Sequence, residues 1–374
     1  MGVKVREFTS GAKAPAIVHV AVHGAADLLL TLWLLDGCAE CEGSPAGHTA
    51  TYDIGAEYFT SVADQLSDET RELVRKVGSG EVWVGIMSLL PEEADNGTVD
   101  SFVEFISSYD PVELRYRLIM LHGLVPEEVR EQAADAAEGD TAALERVFAA
   151  AGFDGSVPEH STWAATLSNL LTMEPLETRD LISDALAAVQ SDLFSKFEAE
   201  FRPALERDLK AKRQMARRLS PERLVEIATN GISVEESGYQ RPILLVPTVV
   251  GRPWVVFTEW REQLIMAYPV ADEYLDADPD APPQWLIKTY KALGDERRLR
   301  ILRHLSRGPA SLADLKEEMD ISKSTLHHHL MLLRAAGLIK VMLGTEKEYA
   351  LRADVVPETA AVLQAYISAG AEEG

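Results

Sequence analysis

The sequence predicts a mainly α (α+β) fold, and three patterns carry that prediction. Residues 54–230 contain runs whose apolar residues recur three and four positions apart, the spacing of amphipathic helices. Residues 239–270 contain three short runs rich in β-branched and aromatic residues and separated by turn formers, which predict a three-stranded β-meander. Residues 285–352 then predict helices followed by a β-hairpin. We therefore expect a helical N-terminal domain that ends in the meander, and a smaller C-terminal domain.

The composition is that of a soluble, folded chain. Of its 374 residues, 47% are hydrophobic and 26% are charged, values that exclude disordered and collagen-like proteins. A chain of this length suits two or three domains. Two cysteines provide no disulfide framework, so we expect a cytoplasmic protein.

One apolar stretch imitates a targeting signal. Residues 16–35 are largely apolar and follow three basic residues, as in a secretory signal. His19, His23 and Asp27 interrupt the stretch, which favours a buried first helix. No other run approaches the ~18 apolar residues that a membrane span needs, so we expect no association with a membrane.

A change of composition marks the main domain boundary. Residues 269–283 hold five acidic residues and four prolines, a composition typical of an extended linker. We therefore predict a helical sensor or dimerisation domain over residues 1–270, with the meander at 239–270. An acidic, proline-rich linker over residues 271–283 and a second domain over residues 284–370 follow.

A long charged helix is predicted near the end of the helical region, over residues 194–219. Pro203 should kink or restart it. Two interpretations remain open: a helix solvated along its length, or a dimer-forming helix with apolar residues three and four apart. The apolar residues are Phe194, Phe197, Phe201, Leu205 and Leu209.

The second domain has the element order of a winged helix-turn-helix. Residues 285–305 predict one helix, and residues 311–320 and 322–336 predict two more, with Ser311 and Ser322 as N-caps. Residues 339–351 predict a hairpin whose turn lies at 344–346. In a helix-turn-helix, the second motif helix enters the DNA major groove.

Helical geometry sorts the residues of this recognition helix. At about 100° per residue, Leu326, Leu330 and Leu333 share one face and should pack in the core. The N-terminal part of such a helix meets base edges, so we predict DNA contacts from the remaining faces and from the hairpin. The predicted residues are Lys323, Ser324, Thr325, His327, His328, Arg334, Lys340 and Lys347. Solvated lysines on a stabilising hairpin explain Lys340 and Lys347 equally well.

Three consecutive histidines, His327 to His329, suggest a metal site at first sight. Consecutive helical residues diverge by about 100°, whereas ligand pairs on helices lie three or four residues apart. We therefore predict no metal here. His327 and His328 should face the groove, and His329, next to the leucine face, should be half-buried with its hydrogen bonds satisfied.

The charge distribution singles out the same region. A net charge of −24 disfavours nucleic-acid binding for the chain as a whole. Residues 284–352, however, contain 13 Lys and Arg against 8 Asp and Glu, and form the one basic island of the sequence. Phosphate contacts need such a patch, so we expect double-stranded DNA to bind there.

The last predicted helix, residues 356–368, is apolar on one side through Ala360, Val362, Leu363 and Tyr366. A terminal helix with such a face packs either on its own domain or on a second subunit.

The segment from Lys291 to Ile339 resembles the ArsR-type winged helix of bacterial repressors. The matching motifs are ALGD-x-R-R-L-x-IL in the first helix and S-x-S-T-x-x-HHL-x-x-L-x-x-AGLI around the recognition helix. The resemblance implies a homodimer that binds a pseudo-palindromic operator and represses transcription. Metal-sensing members carry Cys-x-Cys where this chain has Ser311 and Ala313, and others use His on the terminal helix, where residues 356–368 have none. We therefore expect no metal at the family's sites.

The N-terminal domain carries weaker signals. Cys38, Cys41 and His48 could provide three zinc or thiol ligands, but a single C-x-x-C is a weak signal. The sequence has no phosphate-binding loop and no nucleophile elbow, so we expect a regulator that is not an enzyme and has no cofactor. Two alternatives stay open: control of the winged helix by an N-terminal zinc, thiol or small-molecule sensor, and a protein-interaction module.

Overall fold

The structure is a computed structural model, and it describes most of the chain. The described residues are 17–40, 52–78, 80–93, 95, 97–120, 125–151, 165, 167–234, 241–261, 263–275, 281–343 and 347–372. They divide into two compact units. The N-terminal unit comprises the described residues of 19–209 and 243–268, and the C-terminal unit comprises the described residues of 1–18, 210–242 and 269–374.

Helices dominate the N-terminal unit, and the mainly α class predicted from the sequence is confirmed. In chain order they are α1 (Gly24–Glu40), α2 (Ala56–Gln65), α3 (Asp68–Val77), α4 (Gly80–Ile86), α5 (Val99–Ser108), α6 (Pro111–Ile119), α7 (Arg130–Glu138), α8 (Thr141–Ala151), α9 (Pro175–Val189) and α10 (Ser195–Ala216). Short 3-10 turns occupy Met87–Glu92 and Glu127–Val129, and a π-helical turn occupies Gln190–Phe194.

The first helix is buried, as the sequence indicated. It begins at Gly24 after the short strand β1 (Val18–Val20), and its leucines at 28, 29, 30, 32 and 34 are all inaccessible to solvent. Asp27 accepts hydrogen bonds from the Val249 and Val250 amides at 2.9 and 2.8 Å. Burial raises the pKa of this carboxyl to about 7, against the lowering effect of the two amides. The histidine that interrupts the apolar stretch is also paired: His23 Nδ1 lies 2.9 Å from the buried Glu93 carboxylate.

The strands of this unit are present, but the predicted meander is wrong. The observed strands are β3 (Ile243–Thr248), β4 (Val256–Trp260) and β5 (Gln263–Pro269), and their sheet has the order β1-β3-β5-β4. β4 and β5 form an antiparallel hairpin in which Val256 pairs with Ala267. In a meander β3 would pair with β4; here β3 instead lies between β1 and β5.

Helix α10 is neither a solvated strut nor an exposed apolar helix. Its bounds run continuously through Pro203, so the predicted restart is wrong. Its aromatic residues pack within the N-terminal unit: Phe197 stacks on Phe201 at 5.9 Å and meets Tyr58 edge-on at 4.9 Å, measured between ring centroids. Phe194 and Leu205 are buried as well. The apolar residues whose spacing suggested a dimer-forming helix therefore pack in the core of the same chain.

The C-terminal unit contains the predicted winged arrangement. Its helices are α11 (Pro221–Ala228), α12 (Gln284–Leu293), α13 (Glu296–Leu305), α14 (Leu312–Met319), α15 (Lys323–Ala335) and α16 (Val355–Glu372). Its strands are β2 (Ile232–Val234), β6 (Ala310–Ser311), β7 (Ile339–Leu343) and β8 (Lys347–Leu351). A 3-10 turn at Asp272–Tyr274 lies in the predicted linker, where the Asp272 carboxylate accepts a hydrogen bond from the Trp285 amide at 2.7 Å.

The single helix predicted over residues 285–305 is two helices. Gly294 ends α12, and Asp295 begins α13 as its N-cap by accepting a hydrogen bond from the Arg298 amide at 3.0 Å. The Arg298 guanidinium donates to the carbonyls of Ala292 at 2.7 Å and Lys291 at 2.8 Å. It therefore caps the end of α12 from the start of α13. Tyr290 of α12 is 40% exposed.

The upstream strand β2 joins the hairpin sheet. The sheet order is β2-β7-β8-β6, and β2 pairs in parallel with β7, with Ile232 opposite Val341. This pairing groups residues 210–242 with the C-terminal unit, whereas the predicted boundary placed them in the N-terminal domain. Among the described residues, no helix is long and apolar enough to cross a membrane.

Candidate nucleic-acid interface

Two capped helices form the helix-turn-helix. Ser311 begins α14 with a reciprocal capping box in which its hydroxyl accepts from the Asp314 amide and the Asp314 carboxylate accepts from the Ser311 amide, at 3.2 and 2.9 Å. Asp320 ends α14 in the left-handed conformation, with φ of 49°. Ser322 then caps α15 by accepting from the Thr325 amide at 3.1 Å. Both N-caps predicted from the sequence are confirmed.

The leucine face of α15 holds the helix on the core. Leu326, Leu330 and Leu333 are buried, as predicted, in one cluster with residues of α12 to α14 and of the hairpin. Since three leucines on one face are fixed, the opposite face of α15 must point away from the core.

The first turn of α15 is polar and exposed. Lys323 and Ser324 are exposed and Thr325 is half-buried, and His328 is exposed one turn further along the helix. The Ser322 hydroxyl lies 3.0 Å from the Ser324 hydroxyl and 2.7 Å from that of Thr325. A helix N-terminus carries partial positive charge and attracts phosphate, and Lys323 adds a full charge there. This turn can thus bind phosphate and present hydroxyls to base edges.

The three histidines have three different environments. His328 is exposed, and His327 is half-buried. Burial, with smaller contributions from Lys347 and Lys323, lowers the pKa of His327 below its ordinary value. A neutral imidazole carries both a donor and an acceptor, which suits contact with a base edge.

His329 departs from the prediction that its hydrogen bonds are satisfied. Its side chain is buried rather than half-buried, and among the described residues neither ring nitrogen has a hydrogen-bond partner. The nearest carboxylate oxygen, Asp295 Oδ1, lies 4.0 Å from Nδ1. The buried face of α15 therefore includes a residue about 60° from the leucines, and no polar group in the described part of the chain forms a hydrogen bond with its ring.

The hairpin residues divide into bound and exposed cations. Lys340 Nζ lies 3.7 Å from the Glu226 carboxylate of α11, so this lysine is paired within the protein. Lys347 is exposed as a residue, but its ammonium group lies against the protein, with Nζ 5.6 Å from the Tyr349 ring centroid. Partial burial of this group, and the nearby Arg334, lower its pKa. Arg334 of α15 is half-buried, and burial lowers its pKa to about 10, against the opposing effect of Tyr349 on β8. It stays protonated at neutral pH.

Of the eight predicted DNA-contact residues, the structure thus places Lys323, Ser324 and Thr325 on the first turn of α15 and His328 on the second turn, four residues after Ser324. His327, Arg334 and Lys347 lie along the flank of α15 and on β8. Lys340 lies apart from both groups, against α11.

Sequence reasoning missed the residues that tie α11 and β2 to this domain. Arg352 Nη1 donates to Asn230 Oδ1 at 2.7 Å and to the Gly337 carbonyl at 3.0 Å. The Asn230-Gly231 pair is a turn signal that could have indicated a break between α11 and a following strand.

The candidate metal ligands cannot be placed. Cys41, His48 and the side chain of Cys38 lie outside the described residues. Within the described part of the chain, no group of three His, Cys, Asp or Glu side chains could hold a metal ion.

Comparison with known proteins agrees with this geometry. Residues 293–341 match the family model described as a helix-turn-helix domain. The chain is similar to a crystal structure of an ArsR family transcriptional regulator, at 26% identity over 24% of this chain and 90% of that chain, with a TM-score of 0.20. At that TM-score the likeness adds nothing to the assignment, which rests on the family match and the helix geometry. No curated protein matches the chain. Residues 293–341 therefore form a helix-turn-helix domain, the domain type of DNA-binding transcription regulators.

Proposed function

We propose that this protein is an ArsR-type transcription regulator that binds double-stranded DNA through α15 and the hairpin β7–β8. The observation that carries the proposal is the N-terminal part of α15, where Lys323 and Ser324 are exposed in the first turn and His328 is exposed in the second. The local basic balance, within a chain of net charge −24, supports the same surface.

The finer points of the proposal follow from the family resemblance. The protein acts as a cytoplasmic homodimer on a pseudo-palindromic operator, whose half-sites lie roughly one helical turn apart, and it represses transcription. Independently of that resemblance, we propose that the N-terminal unit binds a small-molecule effector and has no enzymatic activity. An effector acts if it binds better to one separation of the two recognition helices than to another.

Selection of bound fragments from genomic DNA tests the proposal. We expect enrichment of a two-fold related sequence, bound with an affinity that falls steeply with salt because phosphate contacts release counterions. The double variant Lys323→Ala, His328→Ala should weaken binding by about tenfold or more, in line with ~1–3 kcal/mol for one good base contact.

The matched control is Lys196→Ala, which removes an exposed lysine of α10. It removes one positive charge without touching the helix-turn-helix, and binding should stay within about twofold because surface substitutions have small effects. If no fragment is enriched, or if the double variant binds as tightly as the control, the protein-interaction alternative replaces DNA binding.

A further inference from the structure

We propose that the segment Ser220–Val234, here called the upstream segment, belongs to the DNA-binding domain and positions the hairpin β7–β8 for DNA contact. This inference rests on the proposed function, because it assigns to the upstream segment a role in DNA contact. The segment consists of the N-cap Ser220, helix α11, the turn at Thr229–Gly231 and strand β2.

The first contact is between main chains. β2 adds a fourth strand to the hairpin sheet along the outer edge of β7. The Val341 amide donates to the Gly231 carbonyl at 2.7 Å, and in a parallel ladder of this register the Ser233 amide is the next donor, to the Val341 carbonyl. An edge strand that would otherwise expose unpaired backbone groups is therefore covered, and its position is fixed from upstream.

The second contact is a clamp at the end of the recognition helix. Arg352, which follows β8, donates from one nitrogen both to the Asn230 side chain and to the Gly337 carbonyl. Gly337 follows α15 in the left-handed region, with φ of 69°. Arg352 thus joins the turn of the upstream segment to the junction between α15 and β7.

A side chain added at either glycine of this contact would be crowded by its neighbours. Asn230 and Gly231 both have positive φ, 51° and 103°, a conformation that Asn and Gly adopt most readily. A Cβ on Gly231 would lie 3.1 Å from the Ile339 carbonyl oxygen, and one on Gly337 would lie 2.8 Å from Asn230 Oδ1. The turn of the upstream segment therefore packs closely against the residues that follow α15.

The third contact concerns charge. Glu226 pairs with Lys340 of β7 at 3.7 Å and with Arg223 at 2.8 Å. The side chains of Lys340 and Glu226 are only 28% and 14% exposed. The upstream segment therefore holds one hairpin lysine away from solvent and leaves Lys347 as the exposed lysine of the hairpin.

These contacts define which changes test the role of the segment. Asn230→Gly keeps the positive φ but removes one of the two acceptors of Arg352, whereas Ser233→Pro removes a ladder donor. Ser233→Ala keeps that donor and is the matched control. Each variant is made in the full chain, and binding to the selected DNA is measured together with amide hydrogen exchange.

We expect Asn230→Gly and Ser233→Pro each to weaken DNA binding by about tenfold, because a lost hydrogen bond to a charged group or a lost ladder bond loosens the hairpin. Exchange should quicken at Ile339–Leu343 and Lys347–Leu351 and stay unchanged in the buried centre of α15. Ser233→Ala should match the wild type in both measurements.

Three outcomes would overturn the inference. They are unchanged hairpin exchange in both variants, faster hairpin exchange with wild-type DNA affinity, and equal effects of Ser233→Ala and Ser233→Pro. Should Ser233→Pro prevent folding, Asn230→Gly decides alone. Failure of the proposed function is distinguishable: the wild-type protein then binds no DNA, the positioning role falls with it, and hydrogen exchange still reports whether the upstream segment belongs to the domain.

Discussion

At the scale of single residues, His329 is a buried polar side chain on the recognition helix. Its imidazole is 7% exposed, and neither ring nitrogen has a partner among the described residues. Burying a polar group without a hydrogen bond costs about 1–3 kcal/mol. Burial is also the largest cause that lowers the pKa of His329 below its ordinary 6.5; Arg298, His328 and Arg297 add to the lowering, and Asp295 opposes it. The folded domain therefore favours the neutral form of the ring over the protonated form.

We expect His329→Leu to flatten the dependence of stability on pH. Because the folded pKa is depressed, the unfolded chain binds the proton more readily, and stability falls as the pH drops below about 6.5 toward the folded value. Leucine removes this loss and leaves no unsatisfied nitrogen. Urea unfolding measures the free energy of unfolding of both proteins at pH 7.5 and 5.5. At pH 7.5 the value for His329→Leu should equal or exceed that of the wild type. The difference between the two pH values should be smaller for His329→Leu than for the wild type.

His328→Gln is the control for this prediction, because His328 is exposed on the same helix. It should keep the pH dependence of the wild type. A His329→Leu protein with the full pH dependence, or one destabilised by more than about 2 kcal/mol at pH 7.5, would show that the ring has a partner in the folded state.

Side-chain positions on α15 were predictable only where helical geometry decides them. The leucine face follows from 100° per residue, and its burial is confirmed at Leu326, Leu330 and Leu333. The ion pair of Lys340 was not predictable, since Glu226 lies far upstream in the sequence and reaches the hairpin only through the parallel pairing of β2. For the same reason the family motif, which begins at Lys291, could not indicate the clamp on Asn230.

At the scale of elements, caps decide where the helices of the DNA-binding domain end. The apolar spacing continues across Gly294 and Asp295 and predicted one helix, but Asp295 caps α13 and Arg298 caps α12. Cap signals therefore override periodicity at this junction. In the N-terminal unit, the strand sequences predicted strands but not their order, because the partner of β3 on one side is β1, which lies far upstream.

The cap of the recognition helix allows stability and DNA binding to be separated. We expect Ser322→Ala to destabilise the domain by about 1 kcal/mol, since the Thr325 amide loses its acceptor. Ser322→Asp should retain the cap and wild-type stability, yet it places a negative charge at the turn proposed to bind phosphate. Its affinity for DNA should therefore fall more than that of Ser322→Ala. Thermal unfolding and DNA titration of both variants check this.

An exposed serine provides the reference for the cap prediction. Ser306→Ala, beyond the end of α13, should change stability by less than about 0.5 kcal/mol and leave DNA binding intact. Equal DNA affinities for Ser322→Asp and Ser322→Ala at equal salt would count against phosphate binding at this turn.

At the scale of the whole molecule, the helix α16 carries an exposed apolar stripe. Val356, Ala360, Leu363 and Ile367 lie at steps of four, three and four residues along α16, so they share one face of the helix. Val356 is 44% and Ile367 is 64% exposed, and Leu363 is half-buried. An apolar stripe of this kind supports the proposed homodimer, which brings two recognition helices to one operator.

We expect Ile367→Glu to convert the homodimer into monomers, because a charge in an apolar interface is left without compensation. Ala365→Glu places the same charge on the opposite, exposed face of α16 and should remain dimeric. Light scattering after size exclusion measures the oligomeric state of each variant. DNA titration at several salt concentrations measures the effect on binding. Because a monomer makes half the phosphate contacts, the slope of log K against log salt should fall to about half that of the wild type.

A wild-type protein that is monomeric at all concentrations, or an Ile367→Glu protein that keeps both the dimer and the full salt slope, would rule out α16 as the interface. Loss of the dimer in both variants would instead indicate that any added charge, and not this stripe, disturbs association.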